Sequence, residues 1–112
     1  MRDLVYLLQD GSSVFYKIGH GYIPARKSAL QTGNPEELDL VLAIPGGEPL
    51  EKFLHRVFSN RRVRGEWFEF PDRVTAASVI FRASEDYRFF KVRYPDLKAS
   101  MLAELTALAK TA

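Results

Sequence analysis

The sequence contains no cysteine, which excludes disulfides, zinc–thiolate centres and thiol nucleophiles and is compatible with a reducing cytosol. It has little excess charge: 16 basic residues against 14 acidic ones leave a net charge of +2. Bulk charge therefore gives little reason to expect a polyanion partner, and any nucleic-acid signal must be local. No apolar run approaches the ~20 residues of a membrane span. The opening "MRDLVYLLQD" lacks the apolar h-region and small-residue cleavage site of a signal peptide. A cytoplasmic protein without membrane association is the expectation. Internal repeats, low-complexity tracts and Gly-, Ser- or Pro-rich linkers are also missing, so nothing splits the chain. What is present is 112 residues, 46% of them apolar, enough for the core of one globular domain.

Apolar and aromatic residues from Leu4 to Gln9, the turn formers "DGSS", and a second β-branched and aromatic run from Val14 to Ile18 predict a β-hairpin. After the Gly19-His20-Gly21 break, "PARKSALQT" predicts a short helix, with Pro24 in its first turn and Gly33-Asn34-Pro35 ending it. "LDLVLAIP" is a continuous apolar run, expected as a third, central strand buried on both faces. From Glu48, the residues Leu50, Phe53, Leu54, Val57 and Phe58 form one helical stripe, the strongest periodic signal in the chain. "WFEF" reads as a short strand or bridge, and Pro71-Asp72 opens a helix to about Tyr87. Asp96 caps a last helix with Leu97, Met101, Leu105 and Leu108 at helical spacing, which either packs on the same core or supports a homodimer. The class is α+β: a small mixed or antiparallel three-stranded sheet flanked by helices, with a C-terminal helical extension.

If the hairpin loop is "DGSS", Gln9 faces Val14, and Tyr6 then faces Lys17 with Cβ atoms ~5 Å apart. A neighbouring ammonium favours phenolate, so Tyr6 beside Lys17 is a candidate general base; the alternative is a core Tyr6 with Lys17 reaching out to water. Arg26, near the start of the first helix, is a candidate phosphate ligand, or else part of a solvated face. His20 lies in the glycine break, where it either contacts substrate or is a plain loop residue. His55 sits beside the stripe of its helix with Glu51 one turn earlier, suited to a cleft lip or to a surface pairing with Glu51. In "RRVRGEWFEF", Arg61, Arg62 and Arg64 could contact phosphates while Glu66 holds a divalent cation; a basic turn before a core Trp67 is the competing reading.

Taken in order, "LVYLL", "YKIG", "PARKSALQTGNPEELDLV", "EKFLHRVF" and "RGEWFEF" resemble the GIY-YIG endonuclease superfamily, in particular its compact T5orf172 or Mug113-like branch, from about Leu4 to Phe70. Lys17 stands where the namesake motif has a tyrosine, and Leu4-Val5 where Gly-Ile is usual. Leu30 replaces a histidine or tyrosine found one turn after the arginine in many members, leaving His55 or His20 to supply that group. The resemblance implies a nuclease core at 1–70 with an extension at 71–112 packed on the same domain. It implies a DNA endonuclease, with RNA not excluded, in which Tyr6, Lys17, Arg26, His55 and Glu66 are catalytic and Glu66 binds Mg²⁺ or Mn²⁺. Tyr16, His20, Arg61, Arg62 and Arg64 are then expected at the substrate. The alternative is a nucleic-acid-binding or protein-interaction module of the same fold without cleavage.

Overall fold

The structure is a computed structural model that describes residues 3–21 and 38–93, together with Ala107. Its elements are β1 (Leu4–Asp10), β2 (Phe15–Gly21), β3 (Leu38–Pro45), α1 (Glu48–Val57), a 3₁₀ turn (Ser59–Arg61), β4 (Arg62–Arg64), β5 (Trp67–Glu69) and α2 (Arg73–Arg93). The expected helix over "PARKSALQT", which carries Arg26, lies outside the described residues. So does the expected last helix, apart from the helical Ala107. No helix among the described residues is long and apolar enough to cross a membrane.

The sheet has five strands in the order β3-β1-β2-β5-β4, where three were expected, and every neighbouring pair is antiparallel. β4 has no apolar run to announce it: its three residues are exposed, and it exists because it pairs with β5. The central position also differs from expectation. The middle strand is β2, between β1 and β5, whereas β3 is an edge strand among the described residues. Nor is β3 buried on both faces, since Leu40 is exposed and Asp39 pairs with Arg73. Leu7 pairs with Leu42 but Leu8 with Leu40, so Val41 is an extra residue on β3, and this bulge changes which side chains face each side.

The hairpin register is shifted as well. Ser13 N–H donates to the Asp10 carbonyl at 3.0 Å and Gly11 has φ +59°, so the loop is Gly11 to Val14 rather than Asp10 to Ser13. Sliding a four-residue loop by one position moves the pairing by two and keeps each side chain on its face. Tyr6 therefore opposes Gly19, and Lys17 opposes Leu8.

The two sheet faces are covered unequally. Val5, Leu7, Tyr16, Ile18, Ile44 and Phe68 point to the helix side, where they pack with the α1 stripe and with Ala76, Ile80, Ala83 and Tyr87 of α2. On the other side Tyr6, Leu8 and Leu38 form a smaller cluster against Trp67. α1 begins at the expected residue, with Pro49 in its first turn, acidic Glu48 and Glu51 at its N-terminal end, and basic His55 and Arg56 at its C-terminal end. α2 is capped by Asp72, whose carboxylate accepts from Thr75 N–H at 2.7 Å; that bond, together with the Thr75 hydroxyl, holds the carboxyl below its ordinary pKa. Phe53 of α1 meets Tyr87 of α2 with ring centroids 4.6 Å apart, locking the two helices together over the sheet.

Candidate metal centre

The site forms where β2 outlasts its neighbour. β5 pairs with β2 over Phe15, Tyr16 and Lys17, and Ile18 N–H donates to the Glu66 carbonyl at 3.0 Å. Glu66 thus stands at the step where β5 begins, next to Gly65, whose φ of +52° turns the β4–β5 connection. α1 crosses the helix side of this step. Glu51 and His55 are four residues apart and so share one face of α1. Each of Glu51, His55 and Glu66 presents a ligand atom, and the three atoms lie within 4.8 Å of one another.

Hydrogen bonds hold all three side chains. His20 Nδ1 is 2.8 Å from Glu51 Oε2, and Glu51 is itself buried. The Glu51 hydrogen bond is the main reason the His20 pKa is raised, with burial acting the other way. His55 Nε2 donates to the Ile18 carbonyl at 2.8 Å, which fixes the ring's tautomer and leaves Nδ1 unprotonated in the neutral imidazole. Lys17 Nζ is 2.6 Å from Glu66 Oε2 and 5.7 Å from the Trp67 ring. Phe68 supports the His55 ring at 5.0 Å and lies 5.6 Å from the Arg62 guanidinium carbon. Arg62 Nη2 in turn reaches His55 Nδ1 at 3.5 Å, the long end of hydrogen-bond range.

Several expected site residues meet here, though not all as expected. Lys17 does not face Tyr6: the shifted register sets it opposite Leu8 and Trp67, and its ammonium pairs with Glu66. It does not reach out to water either, being only 8% exposed. Tyr6 lies on the same sheet face, its ring against the backbone of Gly19; a Cβ there would stand 2.5 Å from the phenolic oxygen. His20 is on the helix side with Glu51. Tyr16, expected at the substrate, is 0% exposed in the helix-side core, edge-on to Phe70, and burial raises its phenol pKa. That placement gives a substrate no access to its side chain. Arg61 packs over the Phe70 ring, while Arg62 and Arg64 are exposed on β4. A cleft of about 310 Å³ lies among Asn60, Arg61, Arg62, Val63 and Glu69. Glu51 is the residue that sequence reasoning missed as a candidate ligand. Its signal in the sequence is the four-residue spacing to His55, which equally describes a surface ion pair.

A small antiparallel sheet with helices on one face, and a His/carboxylate cluster at its edge beside basic side chains, defines a compact α+β domain able to hold a metal ion. The model of the T5orf172 domain matches residues 3–84, so the chain belongs to that family, consistent with the T5orf172 branch of the GIY-YIG-like superfamily that its motifs resemble. This membership indicates a nuclease-like or DNA-binding domain. The match extends past Phe70 into α2, whose side chains complete the core. Neither a curated protein nor a solved structure matches the chain.

Proposed function

We propose that the domain is a divalent-cation-dependent endonuclease that hydrolyses phosphodiester bonds in DNA. The observation that carries this reading is the convergence of Glu51, His55 and Glu66 within 4.8 Å at a sheet edge that also presents Lys17 and Arg62. Glu66 would hold the cation, with His55 and Glu51 beside it. Two carboxylates and an imidazole are a donor set suited to a divalent ion. A bound Mg²⁺ or Mn²⁺ supplies Lewis-acid stabilisation of the oxyanion that develops as the P–O bond breaks.

The protein's own groups supply the rest. Lys17 neutralises one oxygen of Glu66 and sets its orientation. Tyr6 is assigned as the base by the family resemblance alone, since its hydroxyl is buried against Gly19 on the sheet face away from the helices. Arg62, braced on Phe68, is placed to accept a phosphate near His55. Arg26 is assigned to the phosphate by the family resemblance alone.

Purified protein incubated with plasmid and oligonucleotide DNA, with Mg²⁺ or Mn²⁺ and with chelator, tests this. Cation-dependent cleavage should fall roughly 100-fold or more in Glu66→Ala, the scale of losing one group that stabilises a developing oxyanion. Equal behaviour of wild type and Glu66→Ala in every condition would overturn the catalytic reading. A salt-sensitive mobility shift without cleavage would point to the binding module instead. Cleavage that survives in Tyr6→Phe would keep the enzyme and remove Tyr6 as its base.

A further inference from the structure

The three clustered groups share a pattern. Each has two possible donor atoms, one of them tied by a hydrogen bond from or to the surrounding protein. Glu51 uses Oε2 for His20, Glu66 uses Oε2 for Lys17, and His55 uses Nε2 for the Ile18 carbonyl. The second atom of each, Glu51 Oε1, Glu66 Oε1 and His55 Nδ1, has no close partner among the described residues; only the exposed Arg62 touches Nδ1, at 3.5 Å. Metal-ligating side chains are ordinarily held in this way, with a ligating histidine donating its other N–H to a carbonyl or carboxylate so that the ligating lone pair is aimed and fixed.

We infer that this site is a mixed nitrogen–oxygen centre formed by Glu51, His55 and Glu66 together, which selects a first-row transition divalent cation such as Mn²⁺ over Mg²⁺. The inference deepens the function proposed above and rests on its cation site. Mg²⁺ prefers oxygen donors, keeps several waters and is usually held by one or two carboxylates. Imidazole instead suits transition ions, whose affinities for nitrogen-containing sites exceed that of Mg²⁺. If Glu66 acted alone, neither the burial of Glu51 nor the locked tautomer of His55 would bear on which cation binds. With all three ligating, both do. His20 and Lys17 are then positioning residues, each holding one carboxylate so that its other oxygen faces the cation.

The full chain, freed of metal by chelator dialysis, can be titrated calorimetrically with Mn²⁺ and with Mg²⁺, and its Mn²⁺ complex examined by pulsed electron paramagnetic resonance for coupling to ¹⁴N. The expected result is one Mn²⁺ site, about tenfold or more tighter than for Mg²⁺, with a directly coordinated nitrogen. His55→Gln should abolish the ¹⁴N coupling and weaken Mn²⁺ about tenfold or more with little change for Mg²⁺. Glu51→Gln should weaken Mn²⁺ while keeping the coupling, which also covers the case in which His55→Gln does not fold. Mn²⁺ bound without nitrogen coupling, equal affinity for the two ions, or no binding would overturn the inference. Failure here is separable from failure of the nuclease reading. Mg²⁺-dependent cleavage that needs Glu66, in a protein whose Mn²⁺ complex shows no ¹⁴N coupling, removes the mixed centre and keeps the enzyme. Nitrogen-coupled Mn²⁺ without cleavage of any substrate keeps the centre and removes the enzyme.

Discussion

At Gly19 the absence of one carbon sets the position of a whole ring. A Cβ there would meet the Tyr6 hydroxyl oxygen at 2.5 Å and two ring carbons at 2.6 and 2.8 Å, and the side chain is nearly fully buried. Gly19→Ala should therefore displace Tyr6 and cost about 1–3 kcal/mol, the usual scale for overpacking. Urea denaturation measures the loss, and a cleavage assay on the folded fraction should fall with Tyr6→Phe. His20 offers a second check at this scale. Its pair with Glu51 raises its folded pKa, so the stabilisation is complete below the ordinary histidine value near ~6.5 and is lost as pH rises through the folded pKa. In metal-free protein, the stability difference between wild type and His20→Gln should shrink as pH rises from the ordinary histidine value through the raised folded midpoint. A ¹H NMR titration of the His20 ring should place its midpoint above that of an unperturbed histidine. The candidate residues were legible because chemistry restricts the residue types able to do it. The partners of Lys17 and Glu51 were not, because they depend on a one-residue slide of a turn and on a helix docking across a sheet.

Among the elements, α1 carries both structure and site. Its stripe of Leu50, Phe53, Leu54 and Val57 is buried against the sheet, and the same helix turn brings Glu51 and His55 to the β2 edge. Leu54→Ala removes a fully buried side chain and should destabilise by about 2–5 kcal/mol in chemical denaturation. Metal affinity measured well below the denaturation midpoint should fall too, if α1 shifts on its bed. α1 was readable at its start and along its stripe, because helical periodicity and an N-terminal proline are local signals, although Phe58 of the expected stripe lies just past the last helical residue, Val57. α2 was readable at its start, where Asp72 caps it, but it runs past the expected end near Tyr87 to Arg93. The apolar residues of β3 suit a central strand, and only Asp39 and the terminal Pro45 signal its edge position, while the bulge at Val41 has no local signal.

For the whole molecule, the balance of charge matters more than its sum. A net charge of +2 provides weak long-range attraction, while Arg62 and Arg64 lie exposed on β4, with Arg62 reaching His55 of the candidate metal centre. If they contact phosphates, the double variant Arg62→Gln/Arg64→Gln should lower the magnitude of the slope of log affinity against log salt by about 2, near 1 per lost contact. Fluorescence anisotropy on a labelled duplex across a salt series reads that slope. An unchanged slope would move the phosphate track off β4.

The amino-acid sequence by itself determined the α+β class, the hairpin, α1, the start of α2 and the set of chemically capable residues. These rest on periodicity, turn formers and side-chain chemistry acting over a few neighbouring positions. Only the tertiary structure decided that β2 is the middle strand and β3 an edge among the described residues, that β4 pairs with β5, that Lys17 belongs to Glu66, and that Glu51 joins His55 at one site. Those outcomes depend on register and on packing between segments far apart in the chain, where a shift of one residue in a loop moves a cation from one partner to another.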